Sequence, residues 1–205
     1  KKATSPIYAV CKKITPVFYK KDAWTEVDGD HVIYDGRNDG NSKSLTWAVL
    51  ERKSDNKRVC VVSTHFWFKA VEPEDFEQRL ENVRQLKSVC DEVIAKYNVP
   101  VIIAGDFNNG VKAHTGDEPY KLMLSLGFSD VRHAAKQSTD SYTCRDEYPQ
   151  MNDDGVYTIG SKPTFILDFV FTYGIHLEST KFDVITTERA LISSDHSPVI
   201  SEFIY

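Results

Sequence analysis

Two periods of apolar and polar positions divide the chain. The clearer is helical: between Pro73 and Tyr97, Phe76, Leu80, Val83, Leu86, Cys90, Val93 and Tyr97 recur every three or four residues. That spacing predicts one long amphipathic helix with a single apolar stripe. Glu74, Asp75 and Glu77 gather at its start, where negative charge complements the helix dipole. The other period is that of strands. Val101, Ile102 and Ile103 form a continuous apolar run between Pro100 and Ala104-Gly105, the pattern of a strand buried on both faces. Leu45 to Arg52 alternates, with Trp47 and Val49 on one face, and Asp55-Asn56-Lys57 turns it back into a strand from Arg58 to His65.

Shorter strands are predicted at Pro6 to Cys11 and Thr15 to Lys20, and a hairpin from Trp24 to Tyr34 turning at Asp28-Gly29-Asp30. Three more close the chain, at Phe165 to Tyr173, Leu177 to Thr187 and Ser193 to Ile204. Between Asn109 and Thr164 one further element is predicted, a helix from Glu118 to Leu126 ended by Gly127. Helices interleaved with strands make this an α/β chain, and 205 residues suffice for one domain with a substantial core, spanning 1–205.

Ionisable groups fall where the apolar runs end. Thr64-His65 follows Val59 to Val62, Gly105-Asp106-Phe107-Asn108 follows Val101 to Ile103, Asp168 sits inside Ile166 to Phe171, and Asp195-His196 precedes the last run. Asp106 and Asn108, two residues apart, would face the same way in an extended segment. Taken alone, Gly-Asp-Phe-Asn fits a turn as well as a site. Asp168 carries its own constraint, because an unpaired carboxylate in so apolar a run costs several kcal/mol and therefore requires a cation or histidine.

In that order the motifs TH, GDFN, LDFVF and SDHSPV resemble the endonuclease/exonuclease/phosphatase superfamily, and the resemblance spans roughly the whole chain. It implies a four-layer sandwich of two mixed β-sheets flanked by helices, and metal-dependent hydrolysis of phosphate esters with Mg²⁺ or Mn²⁺. It further implies that His196 activates water with Asp168 orienting its ring, that Asp106 and Asn108 position the water and a phosphate oxygen, that His65 donates across the phosphate, and that Asp195 serves the metal. The family's opening strand with its Asn and second strand with its metal-binding Glu have no counterpart before Ile7, and Glu26 and Glu51 stand in the wrong context to replace that Glu. The expectation is a domain without its first strand, helix and second strand, and so with a weakened metal site.

Around that frame several residues are candidates for substrate contact. Trp67 belongs to the aromatic run Phe66-Trp67-Phe68 beside the site, where a ring could stack or pack in the core. Arg79, with Asn82, resembles an arginine and amide that the family often carries in its helix, although flanking the apolar stripe both are expected simply to face solvent. Tyr142, Arg145 and Tyr148 lie in the polar stretch from Ser138 to Pro163, where substrate choice would reside. Arg37 and Lys43 flank a polar loop from which either could reach a phosphate.

Composition narrows the partners. A net charge of −5 offers no general field for a polyanion, which weakens nucleic acid as substrate while leaving a local patch open. No apolar stretch has membrane-spanning length. The four cysteines, Cys11, Cys60, Cys90 and Cys144, show no CxxC spacing, so their pattern gives no zinc motif; Cys60 and Cys90 read as core thiols. His31, His114, His133 and His176 stand outside the motifs. No G-x-S-x-G elbow supports a serine hydrolase. The rival reading is a non-catalytic module that binds phosphate or a partner on the same scaffold after losing its metal.

Overall fold

The apolar run at Val101 becomes the middle of a sheet. In the computed structural model, which describes residues 7–9, 15–111, 116–139, 141–145, 147–159 and 164–205, the strands are β1 (Ile7–Ala9), β2 (Phe18–Lys20), β3 (Trp24–Ile33), β4 (Ser44–Arg52), β5 (Arg58–His65), β6 (Val101–Val111), β7 (Ser129–Asp130), β8 (Gln137–Ser138), β9 (Gln150–Met151), β10 (Tyr157–Thr158), β11 (Ile166–Tyr173), β12 (Glu178–Val184) and β13 (Val199–Ile204). The α-helices are α1 (Pro73–Tyr97), α2 (Glu118–Ser125), α3 (Val131–Ala134) and α4 (Glu188–Leu191). Cys11 and His114 lie outside the described residues, as does part of the strand expected over Pro6 to Cys11.

Six strands form the larger sheet in the order β3-β4-β5-β6-β11-β7, and three form a second, β13-β12-β8. Both are mixed: β5 and β6 are parallel while their outer neighbours are antiparallel, and β12 pairs antiparallel with β13 and parallel with β8. Parallel β5 and β6 need a crossover, which α1 supplies. Its stripe of Val83, Leu86, Cys90 and Val93 packs with Val49, Val62, Val101 and Ile103 on one face of the larger sheet. On the other face Ile102, Ala104 and Val170 meet Phe182 and Val184 of the second sheet. A strand covered on both faces needs apolar residues at successive positions, which explains the unbroken run. Each such side chain contributes roughly 1.5–3 kcal/mol relative to its exposed state. Among the described residues no helix is long and apolar enough to cross a membrane.

Two expectations fail locally. No hairpin forms at Asp28: β3 is one strand paired with β4 from Trp24↔Arg52 to Ile33↔Ser44, with a bulge between Glu26 and Asp28. The Asp-Gly-Asp run that resembles a turn is held straight by tertiary contacts, since Asp28 accepts from the Tyr97 hydroxyl and from the Lys96 ammonium of α1. The stretch from Asn109 to Thr164 is also more ordered than its polarity suggests. Besides α2 it contains β7, α3 and β8, and a small hairpin of β9 and β10. Asp130 caps α3 by accepting from the Arg132 amide at 2.9 Å, a local device too short to leave a periodic signal.

Candidate active site

The register of three neighbouring strands builds the floor of the site. Parallel pairing of β5 with β6 sets His65 beside Asp106, and antiparallel pairing of β6 with β11 sets Asp168 beside Asp106. Gly105 permits the first pairing. A Cβ there would stand 2.0 Å from the Thr64 carbonyl oxygen and 2.8 Å from its carbon, so any side chain forces the backbones apart one residue from both His65 and Asp106. Gly105→Ala is therefore expected to destabilise the fold by about 1–3 kcal/mol and to lower activity beyond what the lost stability explains. Thermal melts and turnover measured on the same preparation check this; an unshifted melting temperature would contradict it.

His196 arrives on the loop before β13, and a segment from Thr143 to Arg145 fastens that loop to β11. Cys144 forms backbone bridges to both Phe165 and His196. The Arg145 amide donates to the Asp195 carbonyl at 3.0 Å and the Ser197 amide to the Thr143 carbonyl at 2.7 Å. The Thr143 hydroxyl oxygen accepts from the Leu167 and Asp168 amides, both at 3.0 Å. Asp168 and His196 are thus fixed through one short connector. Their side chains meet: His196 Nδ1 donates to Asp168 Oδ2 at 2.8 Å.

From this pair the polar groups continue without a break. His196 Nε2 lies 4.0 Å from Asp106 Oδ2, and that oxygen lies 3.5 Å from His65 Nε2. Lys43, just before β4, donates to His65 Nε2 at 2.9 Å and holds its ammonium 5.0 Å above the Phe68 ring. Lys43 is only 4% exposed, and among the described residues no carboxylate comes within ion-pair distance of it. A buried ammonium without a counter-ion is costly unless an anion joins it.

The electrostatics separate these groups. Burial alone would discharge His196, but its hydrogen bonds to Asp168 and Cys144, with the charges of Asp168 and Asp106, raise its pKa to about 11. Burial lowers His65 to about 4, helped by the positive charges of Lys43 and His196. Burial and the neighbouring Asp168 carboxylate raise Asp106 to about 7, against the opposing pull of His196, the Asn108 amide and Lys43. Lys43 is itself lowered, chiefly by burial. The surroundings thus favour the protonated form of His196 and the neutral form of His65, and draw Asp106 up toward neutrality.

No family model matches the chain, and no curated protein matches it. Solved structures do. An endonuclease/exonuclease/phosphatase from Bacteroides vulgatus superposes over 92% of this chain and 69% of its own length, with a TM-score of 0.68 and 19% identity. The mannosyl-6-phosphatase Bt3783 of Bacteroides thetaiotaomicron covers 98% and 78% respectively, with a TM-score of 0.65 and 15% identity. Truncated TDP2 of Caenorhabditis elegans covers 97% and 75%, with a TM-score of 0.61 and 19% identity. The fold is that of the endonuclease/exonuclease/phosphatase proteins.

Within the endonuclease/exonuclease/phosphatase fold, the five residues singled out as catalytic from sequence sit together, but two of them differ in detail. His65 Nε2 accepts from Lys43 and so orients that ammonium, which leaves Nδ1 as the nitrogen able to donate across a phosphate. Asn108 has φ +46°; its amide N–H donates to Asp106 Oδ1 at 2.8 Å and its Nδ2 to the Phe66 carbonyl at 3.0 Å. Asn108 thus braces Asp106 with one side-chain hydrogen left to give.

Three expected substrate contacts are structural. Trp67 is buried, its indole N–H donating to Asp75 at 2.9 Å. Arg79 and Asn82 do not face solvent; both are wholly buried. Arg79 donates to the Asn108 carbonyl at 2.8 Å and Asn82 accepts from the Trp67 amide at 2.9 Å, so both brace the floor from behind. Arg145 is buried and donates to the carbonyls of Leu191 and Ser194, shaping the loop that carries Asp195 and His196. Arg37 is spent on Asp75 at 2.7 Å. Tyr142 and Tyr148 are exposed on the neighbouring segment. Of the two loop cations that the sequence offers, Lys43 is the one buried against the array; the signal was its place directly before a buried strand whose partner ends in His65.

Asp195 is the carboxylate with the fewest commitments, its described side-chain partner being the Ser194 hydroxyl at 3.3 Å. Both Asp106 oxygens face protein groups, and Asp168 Oδ2 holds His196. Glu26 and Glu51 stand opposite Leu50 and Thr25 of the β3–β4 pair, at the end of that pair remote from Ser44 and His65. Of the three carboxylates around His196, Asp195 is the one that no histidine ring contacts in the described residues, and one such carboxylate does not by itself make the oxygen site that Mg²⁺ or Mn²⁺ takes.

Proposed function

We propose that this chain hydrolyses phosphate esters, with the phosphoryl group seated against Lys43 and His196 and with Asp106 taking the proton of the attacking water. The reading rests above all on one observation, the unbroken array of Lys43, His65, Asp106, His196 and Asp168 with no step longer than 4.0 Å. The fold it shares with a mannosyl-6-phosphatase and with TDP2 supports the same class of substrate.

The roles follow from the charges. A phosphoryl group carries negative charge that must be offset, and buried cations held in place do so without reorganising. Lys43 supplies one and the His196 imidazolium another, its Nε2–H placed between Asp106 Oδ2 and the Cys144 sulfur because Asp168 holds Nδ1. The attacking water needs a base with a pKa near the working pH. Sequence reasoning gives that role to His196; the raised Asp106 fits it better, since a histidine held near pKa 11 has no lone pair to offer at neutrality. The water's proton passes to Asp106, the P–O bond to the leaving group breaks, and the leaving oxygen takes the Nε2 proton of His196. A carboxylate raised toward neutrality beside a histidine held protonated marks such a division of labour between base and acid.

The test is a panel of phosphomonoesters and phosphodiesters assayed with the wild-type chain and His196→Ala side by side, with and without added Mg²⁺ or Mn²⁺. Turnover on at least one substrate, falling about 10²–10⁴-fold in the variant, is expected. Equal activity in both proteins would remove His196 from the chemistry. The single free carboxylate favours a second reading, a phosphate-binding module without turnover; saturable binding of inorganic phosphate together with a silent panel would select it.

A further inference from the structure

We propose that Cys144, Asp195 and His196 form a binding site for Zn²⁺ on the side of His196 away from Asp168. The Cys144 sulfur, one Asp195 carboxylate oxygen and a His196 ring nitrogen lie within 4.8 Å of one another. Cys144 Sγ is already 3.5 Å from His196 Nε2, and tetrahedral zinc with bonds of about 2.0–2.3 Å sets its donors roughly 3.3–3.8 Å apart. Thiolate, imidazole and carboxylate together suit zinc; a sulfur donor disfavours Mg²⁺, Mn²⁺ and Ca²⁺. Among the described residues this is the one such cluster of three potential ligands.

Two independent features show a prepared site. The first is the Asp168 carboxylate on His196 Nδ1 at 2.8 Å, the arrangement by which a metal-binding histidine is held in the correct tautomer with its other nitrogen free for the ion. The second is in the backbone. Cys144 bridges to His196, and the Arg145 amide bonds the Asp195 carbonyl, so the donors are set by a ladder between two segments and need little ordering on binding. Cysteine spacing could not reveal this, because the ligands come from positions 144 and 195–196. The cation enters as the thiol proton and the Nε2 proton leave to solvent.

The consequence for activity rests on the phosphoesterase reading; the binding does not. Zinc on Nε2 occupies the nitrogen that faces Asp106 and removes the proton meant for the leaving oxygen, so it would act as a reversible inhibitor.

Co²⁺ is the probe, since thiolate ligation gives it a charge-transfer band in the near ultraviolet. The wild-type chain is expected to show that band saturating at one equivalent, and Zn²⁺ to abolish it by displacement. Cys144→Ser should lose the band, and Asp168→Asn should keep it with affinity weakened about 10–100-fold. Circular dichroism verifies that each variant is folded; Asp195→Asn, expected to weaken binding at least about tenfold, serves should Cys144→Ser not fold. No band in the wild type, or one equally strong in Cys144→Ser, overturns the site. A band with turnover unaffected by Zn²⁺ leaves the metal site standing and instead removes His196 from catalysis.

Discussion

Asparagine in place of Asp106 is expected to lower phosphate-ester turnover by about 10²–10⁴-fold and to abolish its dependence on pH near neutrality. Asp106 is pushed up to about 7 by burial and by the Asp168 carboxylate paired with it across β6 and β11. Its basic form is present above that pKa, so the wild-type rate should rise with pH through about 7 and then level. It should fall again only in the strongly alkaline range, where His196, raised to about 11, finally gives up its proton. A base at His196 would behave differently, because the rate would still be climbing well above pH 8. The amide of asparagine is close in size to the carboxylate and can still accept from the Asn108 N–H. A loss of turnover with the fold intact would therefore report the chemistry of the carboxylate. A pH profile unchanged in the variant would place the base elsewhere.

Methionine in place of Lys43 is the second large effect, and activity and stability should move in opposite directions. The ammonium is buried and its described hydrogen bond goes to a neutral histidine, and the charges of Asp106 and Asp39 do not offset its burial, so the charge is an electrostatic liability until an anion joins it. Methionine keeps the length and apolar stem while removing the charge. Turnover is expected to fall on the order of 10²–10³-fold, as for loss of a buried donor to a developing charge, while the melting temperature stays level or rises. Sites that sacrifice stability for function behave in this way. A variant less stable and fully active would mean that Lys43 is a structural residue.

What the sequence reveals and what it conceals divide along physical lines. The long helix from Pro73 to Tyr97 and the strand from Arg58 to His65 are legible to the residue, because their periodicity extends over many positions and faces a core. The ionisable groups at strand ends are legible for the same reason, since each terminates an apolar run. Chemistry that depends on a neighbour from elsewhere in the chain is not. Nothing near Asp28 discloses that Tyr97 and Lys96 hold it within a strand. The aromatic run at Trp67 reads as a stacking surface until Asp75 and Asn82 take its indole and amide hydrogens. Lys43 passes for a loop residue, and the proximity of Cys144 to His196, 52 positions away, has no sequence signature at all. The upward shifts of Asp106 and His196 belong to this class too, being properties of the cluster and of neither motif.

Whether Lys43, His65, Asp106, Asp168 and His196 act as a single phosphate site is read most directly from the histidine ring resonances during titration with inorganic phosphate. The signals of His65 and His196 are expected to shift together and saturably at neutral pH, with His133 and His176 unmoved, and Lys43→Met should abolish both shifts. Saturable phosphate binding that leaves His65 and His196 undisturbed would contradict it.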